Sequence, residues 1–133
     1  MTLFNDFKIA GSGLQVYRQW MNAVSDNIAN LNTVKGFDEA AFQERMLQVT
    51  NANIAGSGGG VQVAAVRYGD PEGRIVHDPN HPLANEEGYV RLPDMDMATQ
   101  MTSLIMAQRG YQANLASVER ARNAYEAALG IGK

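Results

Sequence analysis

The chain has no cysteine, one tryptophan and only four prolines in 133 residues. Without thiols there is no disulfide framework and no thiolate chemistry, and that absence suits either redox compartment. No run of about eighteen apolar residues occurs, so no segment reads as a membrane-spanning helix. A basic field is missing too: eleven Lys and Arg face fourteen Asp and Glu, a formal net charge of −3. That balance argues against a nucleic-acid or anionic-membrane partner. The N-terminus lacks the pattern of a cleaved secretory signal. Lys8 is its first basic residue, and the segment is amphipathic rather than a continuous apolar block ending in small residues. The expectation is a cytoplasmic protein, or one that leaves the cell by a route without a cleaved signal.

Residues that could carry chemistry are equally sparse. His77, Asp78 and His81 lie close, but Pro79 and Pro82 forbid the helix that would bring both imidazoles onto one metal. The glycine-rich run Gly56–Gly60 has no following Lys-Ser or Lys-Thr and does not lead from a strand into a helix, so it is read as a flexible connector rather than a phosphate cradle. Ser25, Asp26 and Ser103 have no neighbour in sequence that would activate a nucleophile. No catalytic residue, cofactor or metal site is predicted, and the chain reads as non-enzymatic.

What the sequence does have is two apolar ladders at its ends. The first runs Leu3, Phe7, Ala10, Leu14, Tyr17, Met21, Val24, Ile28, Leu31. The second runs Met97, Met101, Leu104, Gln108, Tyr111, Leu115, Val118, Arg122, Tyr125, Leu129, with only Gln108 and Arg122 polar. Steps alternating between four and three place an apolar seam every 3.5 residues, the period of helices that wrap around other helices. These seam residues are the candidate assembly surface. The fold class expected is mainly α: long N- and C-terminal helices forming a coiled-coil pair, with a small antiparallel β insertion between them.

The chain divides accordingly into an axial helix over 1–33, an irregular or flexible connector over 34–60, a small β-rich element over 61–93 and a second axial helix over 94–133. Gly11-Ser12-Gly13 marks a potential kink in the first helix, at about 1 kcal/mol per glycine relative to alanine. Asn30 to Gly36 reads as its C-terminal turn. Residues 39–50 have helical composition but are equally compatible with extended chain. Alternation at Val61–Tyr68, Arg74–His77 and Gly88–Leu92 predicts three short strands separated by turns. Asp96 is the expected N-cap of a helix starting at Met97 and stopped by Gly130 and Gly132. Asn27, Asn30 and Asn32 admit two readings, a capping turn or a buried polar network that sets register between subunits.

With these residues in view, the chain resembles the bacterial flagellar rod and hook proteins. Ser25-Asp26-Asn27-Ile28-Ala29-Asn30-Leu31-Asn32-Thr33 followed by Gly36-Phe37 is similar to their N-terminal signature, and Tyr111-Gln112-Ala113-Asn114 to their C-terminal one. Phe7–Leu14, Asp78–Asn85 and Gly88–Val90 with Pro93–Asp96 resemble, more narrowly, the proximal rod proteins of the FlgC type. The resemblance implies a structural subunit that polymerises through its terminal helices into the periplasmic rod linking basal ring to hook. It implies as partners copies of itself, other rod proteins, the basal membrane ring and rod-base proteins, and the flagellar type III export apparatus. Neither nucleic acid nor direct membrane insertion is implied, and Asn27, Ala29, Asn30, Asn32, Thr33 and Gly36 are carried over as rod-motif residues. The other function compatible with the ladders alone is a small soluble helical module, regulatory or chaperone-like, that binds a partner helix.

Overall fold

A computed structural model describes residues 3–52 and 59–131. Among these residues two helices, α1 (Leu3–Ala29) and α2 (Met97–Ile131), flank in chain order five strands: β1 (Lys35–Gly36), β2 (Arg45–Asn51), β3 (Val61–Tyr68), β4 (Arg74–His77) and β5 (Tyr89–Leu92). No described helix is long and apolar enough to cross a membrane.

α1 continues through Gly11-Ser12-Gly13 without a break. Gly13 is buried, and a β-carbon there would lie 2.6 Å from Asn114 Oδ1, so the glycine allows α2 to approach. The chain leaves α1 through a turn held by Asn30 and Thr33. The Asn30 side-chain amide donates to the Asp26 carbonyl at 2.9 Å, and the Thr33 hydroxyl donates to Asn30 Oδ1 at 3.1 Å. At the start of α2, Asp96 Oδ2 accepts from both the backbone N–H and the hydroxyl of Thr99, each at 2.9 Å. These bonds hold its carboxyl below the usual range, as an N-cap should. α2 runs through Gly130 to Ile131 rather than stopping at the first glycine, and Gly132 lies outside the described residues.

The helices pack against each other antiparallel. Gly13 meets Asn114, a β-carbon on Gly110 would enter the Tyr17 ring, and Asn27 bonds Gln100. In all three places the residue numbers sum to 127, so one register holds along the whole contact. Beyond residue 124, α2 therefore continues past the first described residue of α1.

The strands form two sheets rather than one β element over 61–93. β1, β5 and β4 make an antiparallel sheet in the order β1-β5-β4, with Lys35 opposite Arg91 and Ile75 opposite Arg91 on the other edge. Its strands β1 and β5 adjoin, in the chain, the end of α1 and the start of α2. β3 instead folds back on β2, Arg45 facing Tyr68 and Asn51 facing Val61, with a bulge opposite the Gln48–Val49 step. Residues 45–51 are thus extended, which resolves the ambiguity of the 39–50 composition. Alternation in sequence detects a strand but not its partner, and here the partner lies across the glycine-rich connector. Gly59 and Gly60 have φ of 143° and 119°, a region that favours glycine, and the Gly60 carbonyl accepts from Ala52 N–H at 3.0 Å. Gly56, Ser57 and Gly58 of that connector lie outside the described residues.

The hairpin β2–β3 lies along the flank of α1 that carries Ile9, Ser12 and Val16. Ser12 Oγ accepts from the Val61 N–H at 3.0 Å, and a β-carbon on Gly59 would meet Ile9 Cδ1 at 2.8 Å. Between these anchors and Asn27, a cleft of about 260 Å³ remains, lined by Gln15, Val16, Gln19 and Val61–Val63. Among the described residues the buried apolar side chains are Val16, Ala23, Val24, Ala41, Ala52, Val90 and Ala107, with Pro93.

Candidate assembly surface

The contact between the helices is built from small and polar side chains on the α2 side. Carried at heptad spacing, the line through Gln100, Gly110 and Asn114 includes Ser103, Ala107, Ser117 and Ala121. Ala107 and Gln100 are buried and the others half-buried. Every one of these residues sits one position before a member of the apolar ladder that runs from Met101 to Arg122. One residue is about 100° of helix rotation, so the apolar ladder is turned to the flank of the pair.

The consequences can be read residue by residue. On α2, Leu104, Tyr111 and Val118 are half-buried beside the contact, whereas Met97, Met101 and Leu115 are exposed, at 43%, 44% and 40%. Ile105 and Met106 are exposed as well. Tyr125 and Leu129 are exposed on the stretch of α2 that overhangs α1. Gln108 and Arg122 also face solvent, and Arg122 pairs with Glu126 at 2.8 Å. On α1, Leu3 opens the helix, Val24 is buried and Tyr17 lies in the helix contact. Phe7, Leu14, Met21, Ile28 and, just past the helix, Leu31 are half-buried. Leu14 and Tyr111 line a shallow groove of about 270 Å³ between the helices, with Gly11, Gln15 and Arg18 at its rim.

The asparagines divide between the two readings their sequence allowed. Asn30 and Thr33 build the exit turn, and Ala29 and Asn32 are exposed. Gly36 lies in β1 opposite Val90. Asn27 is 1% exposed and belongs to a polar network, but one that joins parts of a single chain. Its Oδ1 accepts from the Arg45 N–H at 2.9 Å, and its Nδ2 donates to the Arg45 carbonyl and to Gln100 Oε1, both at 3.1 Å. Asp26 pairs with the Arg45 guanidinium at 2.5 Å. Sequence reasoning missed Gln100, Gly110 and Glu44 because none is apolar or part of a repeated asparagine pattern. The signal available was the second heptad line, small and polar, one residue out of phase with the first.

The remaining candidates are structural. His77 packs edge-on against Tyr89 with ring centroids 5.0 Å apart, and His81 Nδ1 accepts from the Leu83 N–H at 3.1 Å. Arg91 lies over the Phe37 ring, and its Nε donates to the Phe37 carbonyl at 2.6 Å. Among the described residues no group of three or more His, Asp or Glu is placed to hold a metal ion.

Comparison with known proteins agrees with this geometry. Residues 7–37 match the family described as flagella basal body rod protein, and residues 86–131 match that described as flagellar basal body rod FlgEFG protein C-terminal. These two regions carry α1 from Phe7 onward with its exit turn, and β5 with α2. The flagellar basal-body rod protein FlgC of Yersinia enterocolitica is 34% identical over 134 residues, covering both chains completely. The FlgC proteins of Escherichia coli O157:H7 and Bacillus subtilis strain 168 are 33% and 30% identical, again across the full length of both chains. A chain with this architecture and these full-length relatives belongs to the FlgC family of flagellar basal-body rod proteins, and is a structural, non-enzymatic subunit of that rod.

Proposed function

We propose that this chain joins the rod through the flank of its helix pair, polymerising with copies of itself and with other rod proteins as a coiled-coil layer. The observation that carries this reading is the rotation of the apolar ladder away from the internal contact. Large apolar side chains at heptad spacing are left on α2 while small residues close the helix pair. Contiguous exposed apolar area of this kind marks a surface that another protein covers. Met97, Met101 and Leu115 with Leu14, Met21 and Ile28 form that flank, and Tyr125 and Leu129 extend it past the end of α1.

In this reading residues 1–33 and 94–133 are the axial parts, the hairpin and three-stranded sheet are lateral and terminal additions, and contacts between subunits are heterologous and non-closing, as a filament requires. The rod would span the periplasm between the basal membrane ring with its rod-base proteins and the hook. The chain would reach it through the flagellar type III export apparatus without a cleaved signal peptide. Long helices overlapping side by side suit torque, because twisting must shear many contacts at once. Deleting the gene and imaging purified basal bodies tests the proposal. Basal bodies without a complete rod, restored when the chain is supplied again, are expected; complete rods in the deletion strain would reject it.

A further inference from the structure

Among the described residues both strands of the hairpin β2–β3 touch α1, and the chain entering the hairpin meets α2 at one corner. There, four residues form a closed ring of hydrogen bonds. Asn27 donates to Gln100 Oε1 at 3.1 Å, Gln100 Nε2 donates to Glu44 Oε1 at 2.5 Å, and the chain passes from Glu44 into Arg45, whose backbone N–H and carbonyl both bond the Asn27 amide. The ring has a fixed direction. An ionised carboxylate can only accept, so Glu44 draws the amide nitrogen of Gln100 towards itself. That leaves Gln100 Oε1 facing Asn27, which must answer with Nδ2, and Asn27 Oδ1 is then left for the Arg45 N–H. Among the described residues no buried side-chain polar atom lacks a partner.

We infer that this ring is a closure latch: Ser12, Asp26 and Asn27 attach the hairpin to α1, and Gln100 from α2 locks its corner, so full docking of the hairpin is conditional on the helix pair having formed. Without α2, the Asn27 amide keeps one hydrogen unpartnered and loses the acceptor that sets its orientation, while Glu44 loses the donor beside it. The rest of the hairpin's attachment is to α1, through the Val61 N–H donated to Ser12 Oγ and the solvent-exposed Arg45–Asp26 pair, with an open cleft under the first residues of β3. Residues 45–68 precede Gln100 in the chain by more than thirty positions, so a polypeptide delivered N-terminus first keeps its hairpin loose until α2 arrives.

Hydrogen exchange on the full-length monomer tests the latch separately from any assembly. Gln100→Leu removes the α2 contribution without touching a strand. It is expected to speed exchange of the β2 and β3 amides about tenfold or more, while amides around Gly13 and Asn114 change by less than about threefold. Gln100→Glu sets two carboxylates together and has the same expected effect. Adding Glu44→Gln to Gln100→Glu reverses the bond between positions 44 and 100 while keeping an acceptor at 100 for Asn27 Nδ2, and is expected to return hairpin exchange to within about threefold of the native chain. Unchanged hairpin exchange in Gln100→Leu, an equal rise in hairpin and helices, or failure of the reversed pair to restore protection would each overturn the inference. If Gln100→Leu does not fold, the reversed pair alone decides.

Discussion

Replacing Gly110 with alanine places a methyl group inside the space of the Tyr17 ring, against Cε1 and Cζ. Helix propensity alone makes the opposite forecast, a gain of about 1 kcal/mol for glycine to alanine in a helix interior. Gly11 provides the matched control: it is exposed on α1 and nothing lies within 4 Å of a β-carbon built there, so Gly11→Ala should realise that gain. At Gly110 the ring must move, and it is stacked on Trp20 at 6.1 Å between centroids, so it cannot swing without disturbing a second aromatic. Overpacking of this kind costs about 1–3 kcal/mol, which offsets or exceeds the propensity gain. Gly110→Ala should therefore be less stable than Gly11→Ala by about 1–3 kcal/mol, and each kcal/mol corresponds to roughly 3–5 °C in Tm for a chain of this size. Urea unfolding followed by far-UV circular dichroism measures the difference. In a Tyr17→Ala background the penalty should vanish and Gly110→Ala should become stabilising. Equal stability of the two single variants would refute the helix contact as described.

Asn27→Leu deprives the Arg45 backbone and Gln100 of their buried partner and should cost about 2–4 kcal/mol, against about 1 kcal/mol or less for Asn30→Leu in the half-exposed exit turn; denaturant midpoints compare the two. Asp96 has its carboxyl held below the usual range, chiefly by the Thr99 backbone N–H and then its hydroxyl, so its contribution is present above the ordinary carboxylate value and is lost as pH falls through the depressed one. The difference in Tm between the native chain and Asp96→Ala should accordingly be larger at pH 7 than below roughly pH 3, and a difference independent of pH would contradict the cap.

The two helices were legible because heptad spacing over thirty residues has few other solutions, and Asp96 before Met97 marks a helix start by its chemistry. The orientation of the ladder was not. Periodicity of large apolar residues locates a stripe, but cannot say whether that stripe faces the helix of the same chain or another molecule. Close antiparallel packing selected the small line through Ala107 and Gly110, because only small residues admit a ring such as Tyr17. The strand partners were hidden for a different reason. β2 and β3 pair across a glycine-rich connector, and composition over 39–50 carries no term for a partner not yet in place. Asn27 was visible as part of an asparagine cluster, yet its role depends on Gln100, seventy-three residues away in the chain.

The central claim is that the apolar flank left by the helix pair is where the rod is joined. It is tested most directly by electron microscopy of basal bodies from cells in which the chain carries Leu14→Asp or Leu115→Asp. Circular dichroism of each purified variant checks that the fold is kept. Absent or truncated rods and lost motility with a native-like fold are the expected result; complete rods and normal motility in both variants would contradict the account.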